Sequence, residues 1–374
     1  MNPALDFEGL ATFAESANAI DVFLSMASRM PPYTFIRQMI VYHQGDILQA
    51  IENHAWKFSQ FESLNKNFPV FKLGNHKGNE DEHVEGVIVV LPGSQEHISR
   101  IITISTSDFW TRIVRKLSRL LYPDAMPVFF KQQEIEESLL ALEAVLPENY
   151  YIQLSDVTSK EERVKFSTSR TREYDTHRLW TDSPWRNVFM QAKEEKQWFT
   201  GIKFSIQREN KSGSKSIIAS GRLSKHGELQ YDYYHEKFSN SLLTFLEQRT
   251  SERLLLLQDR GIRERNYHPS KPIEIVFDYD AFDSIEDIRE FGKIMAAYPR
   301  SGKAVYHGNP YYHASIADFV DGSSFDVWAL SKDKVIIIPQ AKSSAQAFER
   351  LITYVFTEFN EGTVNVYEES EEVE

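Results

Sequence analysis

Apolar residues change their spacing several times along the chain, and each change marks an element. From residue 107 to 121, Trp110, Ile113, Val114, Leu117 and Leu121 recur every three or four positions. That period predicts a helix, with Ser107 or Asp108 as its cap. Its other face carries Arg112, Arg115, Lys116 and Arg119. Residues 87–92 and 101–106 are short apolar runs that read as buried strands. Residues 73–84 are polar and read as a loop, and residues 133–145 as a further helix stopped near Pro147. Residues 1–60 hold apolar positions at irregular intervals, broken by Met30-Pro31-Pro32-Tyr33, and are read as mostly helical.

A second run of signals begins near Tyr150. Residues 198–207, 216–222 and 228–234 alternate as strands, and residues 209–215 make a polar turn. A long helix is predicted over residues 239–258, with Leu242, Phe245, Leu246, Leu254 and Leu257 on its inner side. A third run begins near Pro269. It contains a strand at 273–278, a helix capped by Ser284, two strands or one bent strand over 304–308 and 311–320, and a turn at Asp321-Gly322. The hairpin 325–342 follows. Ser343 with Gln346 then reads as a capping box. The next helix places Phe348, Leu351, Ile352, Val355, Phe356 and Phe359 on one face, and residues 363–368 form a last strand.

These elements predict an α+β protein of several β-meander-plus-helix units, ending in a mixed sheet, or an antiparallel one, flanked by helices. Three regions are expected: 1–149, helical and α+β; 150–268, a β-meander with a long helix; and 269–374, an α/β region with an acidic tail. No residue-level repeat links them.

Composition narrows the function classes. The 374 residues are enough for more than one core. With no cysteine, the chain has no thiol nucleophile, disulfide framework or cysteine-bound metal. There is no apolar run of transmembrane length and no secretory pattern at the start, so a cytoplasmic, non-membrane protein is expected. Net charge is −12. Any nucleic acid must therefore be met by a local basic patch, a metal ion or a partner rather than by bulk attraction.

The chemistry concentrates in residues 325–344. Asp326 opens the first strand of the hairpin, and Gln340 and Lys342 close the second. Positions two apart on a strand share a face, so the amide and the amine point together. Magnesium takes oxygen ligands and keeps several waters, so one or two protein oxygens beside a phosphate can hold it. The order helix, strands, strand with Asp326, strand with Gln340-Ala341-Lys342, helix, strand over residues 284–368 resembles the PD-(D/E)XK nuclease superfamily, in its restriction-like Gln-x-Lys branch. The resemblance implies a metal-dependent nuclease acting on nucleic acid, in restriction, repair or anti-phage defence. Asp326 and Gln340 would bind magnesium, and Lys342 would orient the attacking water. Glu286 or Glu290 on the leading helix would complete the site. The same residues also have a plain structural reading, with Asp326 starting a half-exposed strand and Lys342 a solvated strand end. Pro339, which cannot donate to a ladder, fits an edge or a bulge. On that reading the chain is a non-catalytic binding or scaffolding subunit, and a protein partner is expected.

Arg112, Arg115 and Arg119 form one helical stripe, and Lys165, Arg170 and Arg172 lie in a polar segment with Tyr174 and Trp180. Both are candidates for tracking phosphates, or are a solvated helix face and a loop. His307 and His313 flank a short loop, and Asp278, Asp280 and Asp283 lack the glycine and distal glutamate of a calcium loop. No phosphate-binding glycine loop and no nucleophile elbow is present.

Overall fold

The computed structural model describes residues 36–64, 70–75, 83–161, 176–195, 197–211, 213–258, 271–277, 281–308 and 311–367, with backbone alone at 160–161 and 176–182. The chain forms two compact units, Met1–Thr250 and Ser251–Glu374. Both are built on antiparallel sheets, and the protein is α+β.

The first unit centres on β1 (Ile36–His43), which is buried on both faces. A strand covered on both sides has no polar alternation to betray it, and this is why the helical expectation for residues 1–60 fails at 36–43. A short helix α1 (Ile47–Asn53) follows. The Asp46 carboxylate caps it, accepting from the backbone N–H groups of Leu48 and Gln49. Strands β2 (Gln60–Ser63), β3 (Val70–Asn75), β4 (Val84–Pro92) and β5 (Ile98–Thr103) then add antiparallel neighbours in order, until β5 pairs β1.

Helix α2 runs through Ser107–Phe109, a π turn at Trp110–Val114, and Arg115–Leu120. Its cap is Thr106, one residue before those expected, and the Thr106 hydroxyl accepts from Phe109 N–H. Trp110, Ile113, Val114, Leu117 and Leu121 enter the core with Met39, Phe71, Ile88 and Ile101, as their spacing predicts, and Phe109 joins them. The helix sits so close to β4 that a Cβ on Gly86 would stand 2.7 Å from the Phe109 ring.

The remaining elements of this unit are β6 (Ala125–Pro127), α3 (Gln132–Ala144), β7 (Tyr150–Glu161), β8 (Thr176–Pro184), α4 (Trp185–Glu194), β9 (Gln197–Glu209), β10 (Lys215–Ser224) and β11 (Glu228–Tyr233). Helix α5 (Glu236–Gln258) carries the chain into the second unit. The sheet runs β2-β3-β4-β5-β1-β11-β10-β9-β7-β8, with β6 also on β1. A division at 149/150 therefore does not separate two sheets, because β1 pairs β5 on one side and β11 on the other.

One polar contact at the end of β1 has a pH consequence. His43 Nδ1–H donates to the Gly45 carbonyl at 2.7 Å, and Nε2 accepts from the Ser99 hydroxyl at 2.9 Å. Burial holds His43 below its ordinary pKa, against the pull of the Gly45 bond. The unfolded chain then binds protons more readily than the folded one. Stability is full above the ordinary imidazole value of about 6.5 and falls as pH drops below it. Urea midpoints measured from about pH 8 to about pH 5 should decline less for His43→Gln than for the parent. Equal declines would assign the slope to other groups.

The second unit contains β12 (Ile273–Phe277), α6 (Ile285–Ala296), β13 (Ser301–His307), β14 (Tyr312–Asp318), β15 (Ser324–Ala329), β16 (Lys334–Pro339), α7 (Ala345–Glu358) and β17 (Gly362–Val366). The sheet order is β13-β14-β15-β16-β12-β17, and every pairing is antiparallel. Of the mixed or antiparallel sheet expected here, the protein has the antiparallel form. Strands β14 to β16 are joined by short turns, and a short turn can only reverse the chain; a parallel neighbour needs a long crossover.

Helices α6 and α7 cover one face of this sheet. Phe291 of α6 packs edge-on to Tyr312, and Phe348 of α7 lies 4.7 Å from Phe325. Phe359 joins Phe277, Phe282 and Phe291. Ser284 caps α6 in a reciprocal box with Asp287. Helix α7 is capped by Ser344 rather than Ser343; the Ser344 hydroxyl accepts from Ala347 N–H, and Ser343 is buried.

Candidate functional site

The hairpin of β15 and β16 has a defined register, Phe325 opposite Pro339 and Asp326 opposite Ile338. Phe325, Val327 and Ala329 face the helices and are fully buried, so Ser324, Asp326 and Trp328 take the other face. The pairing continues past Pro339. Gln340 N–H donates to the Ser324 carbonyl at 3.0 Å, and Ser324 N–H to the Lys342 carbonyl at 2.8 Å. Pro339 thus sits on a central strand, not an edge. Its nitrogen points away from β15, toward a β12 ladder that ends at Ile273 opposite Ile337, so no bond is lost.

Asp326 and Gln340 meet on the face away from the helices. Gln340 Nε2–H donates to Asp326 Oδ2 at 2.8 Å, and the Ser315 hydroxyl, from the neighbouring β14, donates to Asp326 Oδ1. The Tyr306 hydroxyl lies 3.3 Å from Ser315 Oγ. One rung along, the His313 ring sits between Tyr306, at 4.8 Å, and Trp328, at 4.9 Å. The carboxylate is therefore held by two donors, the three rings lie on the same face of the sheet, and each of its oxygens keeps acceptor capacity. Gln340 turns its nitrogen, not its oxygen, toward Asp326. An ion bound by both residues would require the amide to turn over.

Lys342 is placed by a different feature. Its amine lies 2.9 Å from where a Cβ on Gly322 would stand, over the turn that precedes β15. Gly322 has φ of +76°, a conformation suited to glycine. The turn is anchored by Asp318, whose carboxylate accepts from Arg350 Nη2 at 2.6 Å, the Tyr298 hydroxyl at 3.1 Å and Val320 N–H at 2.8 Å. Burial pushes Asp318 above its ordinary pKa. Ser344 adds a bond to Asp321 at 2.5 Å.

The acid sought on the leading helix is not part of this arrangement. Glu286 and Glu290 lie on α6, which covers the opposite face of the sheet from Asp326. His307 and His313 are register partners on β13 and β14. Among the described residues, no group of three or more His, Asp or Glu side chains is arranged to hold a metal. Asp278 and Asp280 lie outside the described residues, and Asp283 is exposed.

The arginine stripe divides. Arg115 is half-buried and taken up by Glu228 of β11, Nε at 2.8 Å and Nη2 at 2.5 Å. The Glu228 carboxylate raises Arg115 above its ordinary pKa. Arg112 and Arg119 are exposed, and neither forms a hydrogen bond or ion pair among the described residues. The residue between them on the outward side is Lys116, four after Arg112 and three before Arg119. The π turn, with its extra residue, shifts the helix phase that an unbroken α-helix would give the stripe. Lys116 Nζ donates to the Lys57 carbonyl at 3.1 Å and lies 5.0 Å over the Phe58 ring. This brings Trp56 and Lys57, which no motif singles out, to the same surface. Their only trace in the sequence is Trp56-Lys57-Phe58, an aromatic–basic alternation too short to stand out. Lys165, Arg170 and Arg172 lie outside the described residues.

No family model matches the sequence, and no curated protein matches it. The class defined by the geometry is an α+β protein with two antiparallel sheets, a basic helix face on the first unit and a carboxylate–amide pair on the second. No helix among the described residues is long and apolar enough to cross a membrane.

Proposed function

We propose that this protein binds nucleic acid through the outward face of α2. The observation that carries the reading is the set Arg112, Lys116 and Arg119, three cations on one helix face, two of them exposed and without an acidic partner among the described residues. Cations spaced by one helical turn suit successive phosphates, and their local concentration answers the net charge of −12 that argues against bulk attraction. Arg115 supports the fold instead, through Glu228.

Binding of a labelled oligonucleotide, followed by anisotropy across a salt series, tests this. The triple variant Arg112→Ala/Lys116→Ala/Arg119→Ala should bind more weakly at every sequence. Its log–log salt slope should be shallower by about 0.7–0.9 for each phosphate that is no longer neutralised. Arg115→Ala should leave the slope unchanged and cost at most about 1 kcal/mol of stability, because its pair is partly solvated. A parent protein that binds no oligonucleotide at low salt would favour the scaffolding reading.

A second reading, metal-dependent strand cleavage at the hairpin, is favoured by one observation: Asp326 and Gln340 stand side by side, half-exposed, on the sheet face away from the helices. There the carboxylate and the amide oxygen would hold magnesium, which supplies an acidified water beside the phosphodiester.

A further inference from the structure

The surface around Lys116 holds more than phosphate-binding cations. Trp56 occupies a single 3₁₀ turn, Ala55–Lys57, directly after α1, and is 72% exposed. Large aromatic side chains usually bury most of their surface. Here the Lys57 amine stands 3.6 Å from the indole centroid, a cation–π contact that leaves most of the side chain in solvent. The Lys116 bond to the Lys57 carbonyl ties this turn to α2. Arg112 and Arg119 flank Lys116 on the same helix.

We infer that this surface takes a single-stranded nucleic acid, with an unpaired base stacked on Trp56 and the adjoining phosphates on Lys57, Arg112, Lys116 and Arg119. The inference rests on the nucleic-acid reading and specifies its substrate. An indole can stack only on a base whose face is free, and in a duplex those faces are occupied by neighbouring pairs. Single-strand binders combine a cationic track with aromatic platforms for this reason. The exposed neighbours of Trp56 bear on the choice of ligand. Glu52, Asn53, Lys57 and Ser59, exposed beside it in the chain, are charged or polar, and Phe58 is buried beneath Lys116. A bilayer anchor would place aliphatic side chains around the indole, so the arrangement fits a stacked base better than a lipid interface.

Three probes of one labelled form test this: oligothymidylate, a duplex of equal length, and vesicles containing phosphatidylserine. Oligothymidylate should bind more tightly than the duplex. Trp56→Ala should weaken oligothymidylate binding by about 5- to 150-fold, the range that loss of one base–aromatic stack produces. It should change duplex binding less than two-fold, roughly, and leave the salt slope intact, since no charge is removed. Trp56→Phe should recover part of the loss. Trp56 is too exposed for its replacement to unfold the protein, and an unchanged unfolding midpoint confirms it. Equal binding of single strand and duplex, with Trp56→Ala matching the parent, overturns the single-strand inference and leaves α2 as a phosphate-binding face. Vesicle binding that depends on Trp56, with no preference for oligothymidylate, replaces it with a membrane surface. No oligonucleotide binding at any salt overturns both this inference and the nucleic-acid reading beneath it.

Discussion

Glu349→Ala should lower the stability of the second unit by about 3–5 kcal/mol, the range for breaking a buried ion pair by removing one partner. Glu349, on α7, accepts from Arg253 Nη2 at 2.8 Å and Nε at 3.2 Å, and the two side chains are only 2% and 6% exposed. Neither charge can recover its hydration. Removing the carboxylate leaves the guanidinium in a site built around it, and the cost lies in that lost compensation rather than in the attraction itself. The double variant Arg253→Met/Glu349→Leu removes both charges and keeps comparable volume. It should be close to the parent, or more stable by about 1–4 kcal/mol. Urea unfolding, with hydrogen exchange of peptides from β15 and β16 as the local readout, separates the two variants. A single variant as stable as the parent would show that water reaches the pair.

On the cleavage reading, Asp326→Ala should abolish magnesium- or manganese-dependent strand cleavage while leaving oligonucleotide binding at the level of the parent. A metal-held water contributes several kcal/mol of transition-state stabilisation, and loss of the charged ligand removes roughly three orders of magnitude or more in rate. Affinity is kept because the proposed phosphate contacts are Arg112, Lys116 and Arg119, on the first unit. The fold is kept as well. Asp326 is half-exposed, so water can take over from the carboxylate as partner to Ser315 and Gln340, at a cost of about 1 kcal/mol. Lys342→Ala is the companion variant, expected to lose cleavage while metal affinity stays near that of the parent. Its amine now rests over Gly322, and it must leave that turn to serve a water beside Asp326. Cleavage by Asp326→Ala at the parent's rate would remove the hairpin from the chemistry.

What the sequence by itself determined is local. The period of Phe348, Leu351, Ile352, Val355, Phe356 and Phe359 announces α7 and the face it buries, because one stripe of a helix must leave water together. The Asp321-Gly322 turn, the Ser284 cap and the strands of the 325–342 hairpin are also set by residues within a few positions of one another. Where an element is covered on both sides this signal vanishes. β1 is therefore hidden within a stretch whose pattern reads as helical, although it joins both halves of the first sheet. The cap of α7 moved from Ser343 to Ser344 because Ser344 also reaches Asp321, more than twenty positions away. Tertiary structure alone decided the candidate sites. Arg112, Arg115 and Arg119 are alike as residues, and only the approach of Glu228 from β11 sets Arg115 apart. Asp326 and Gln340 were within reach of a sequence argument because a hairpin register joins them. The Ser315 donor, the turn that holds Lys342, and the placing of Trp56 beside α2 are not. They come from elements outside the hairpin, whose side chains meet only after the sheets have formed.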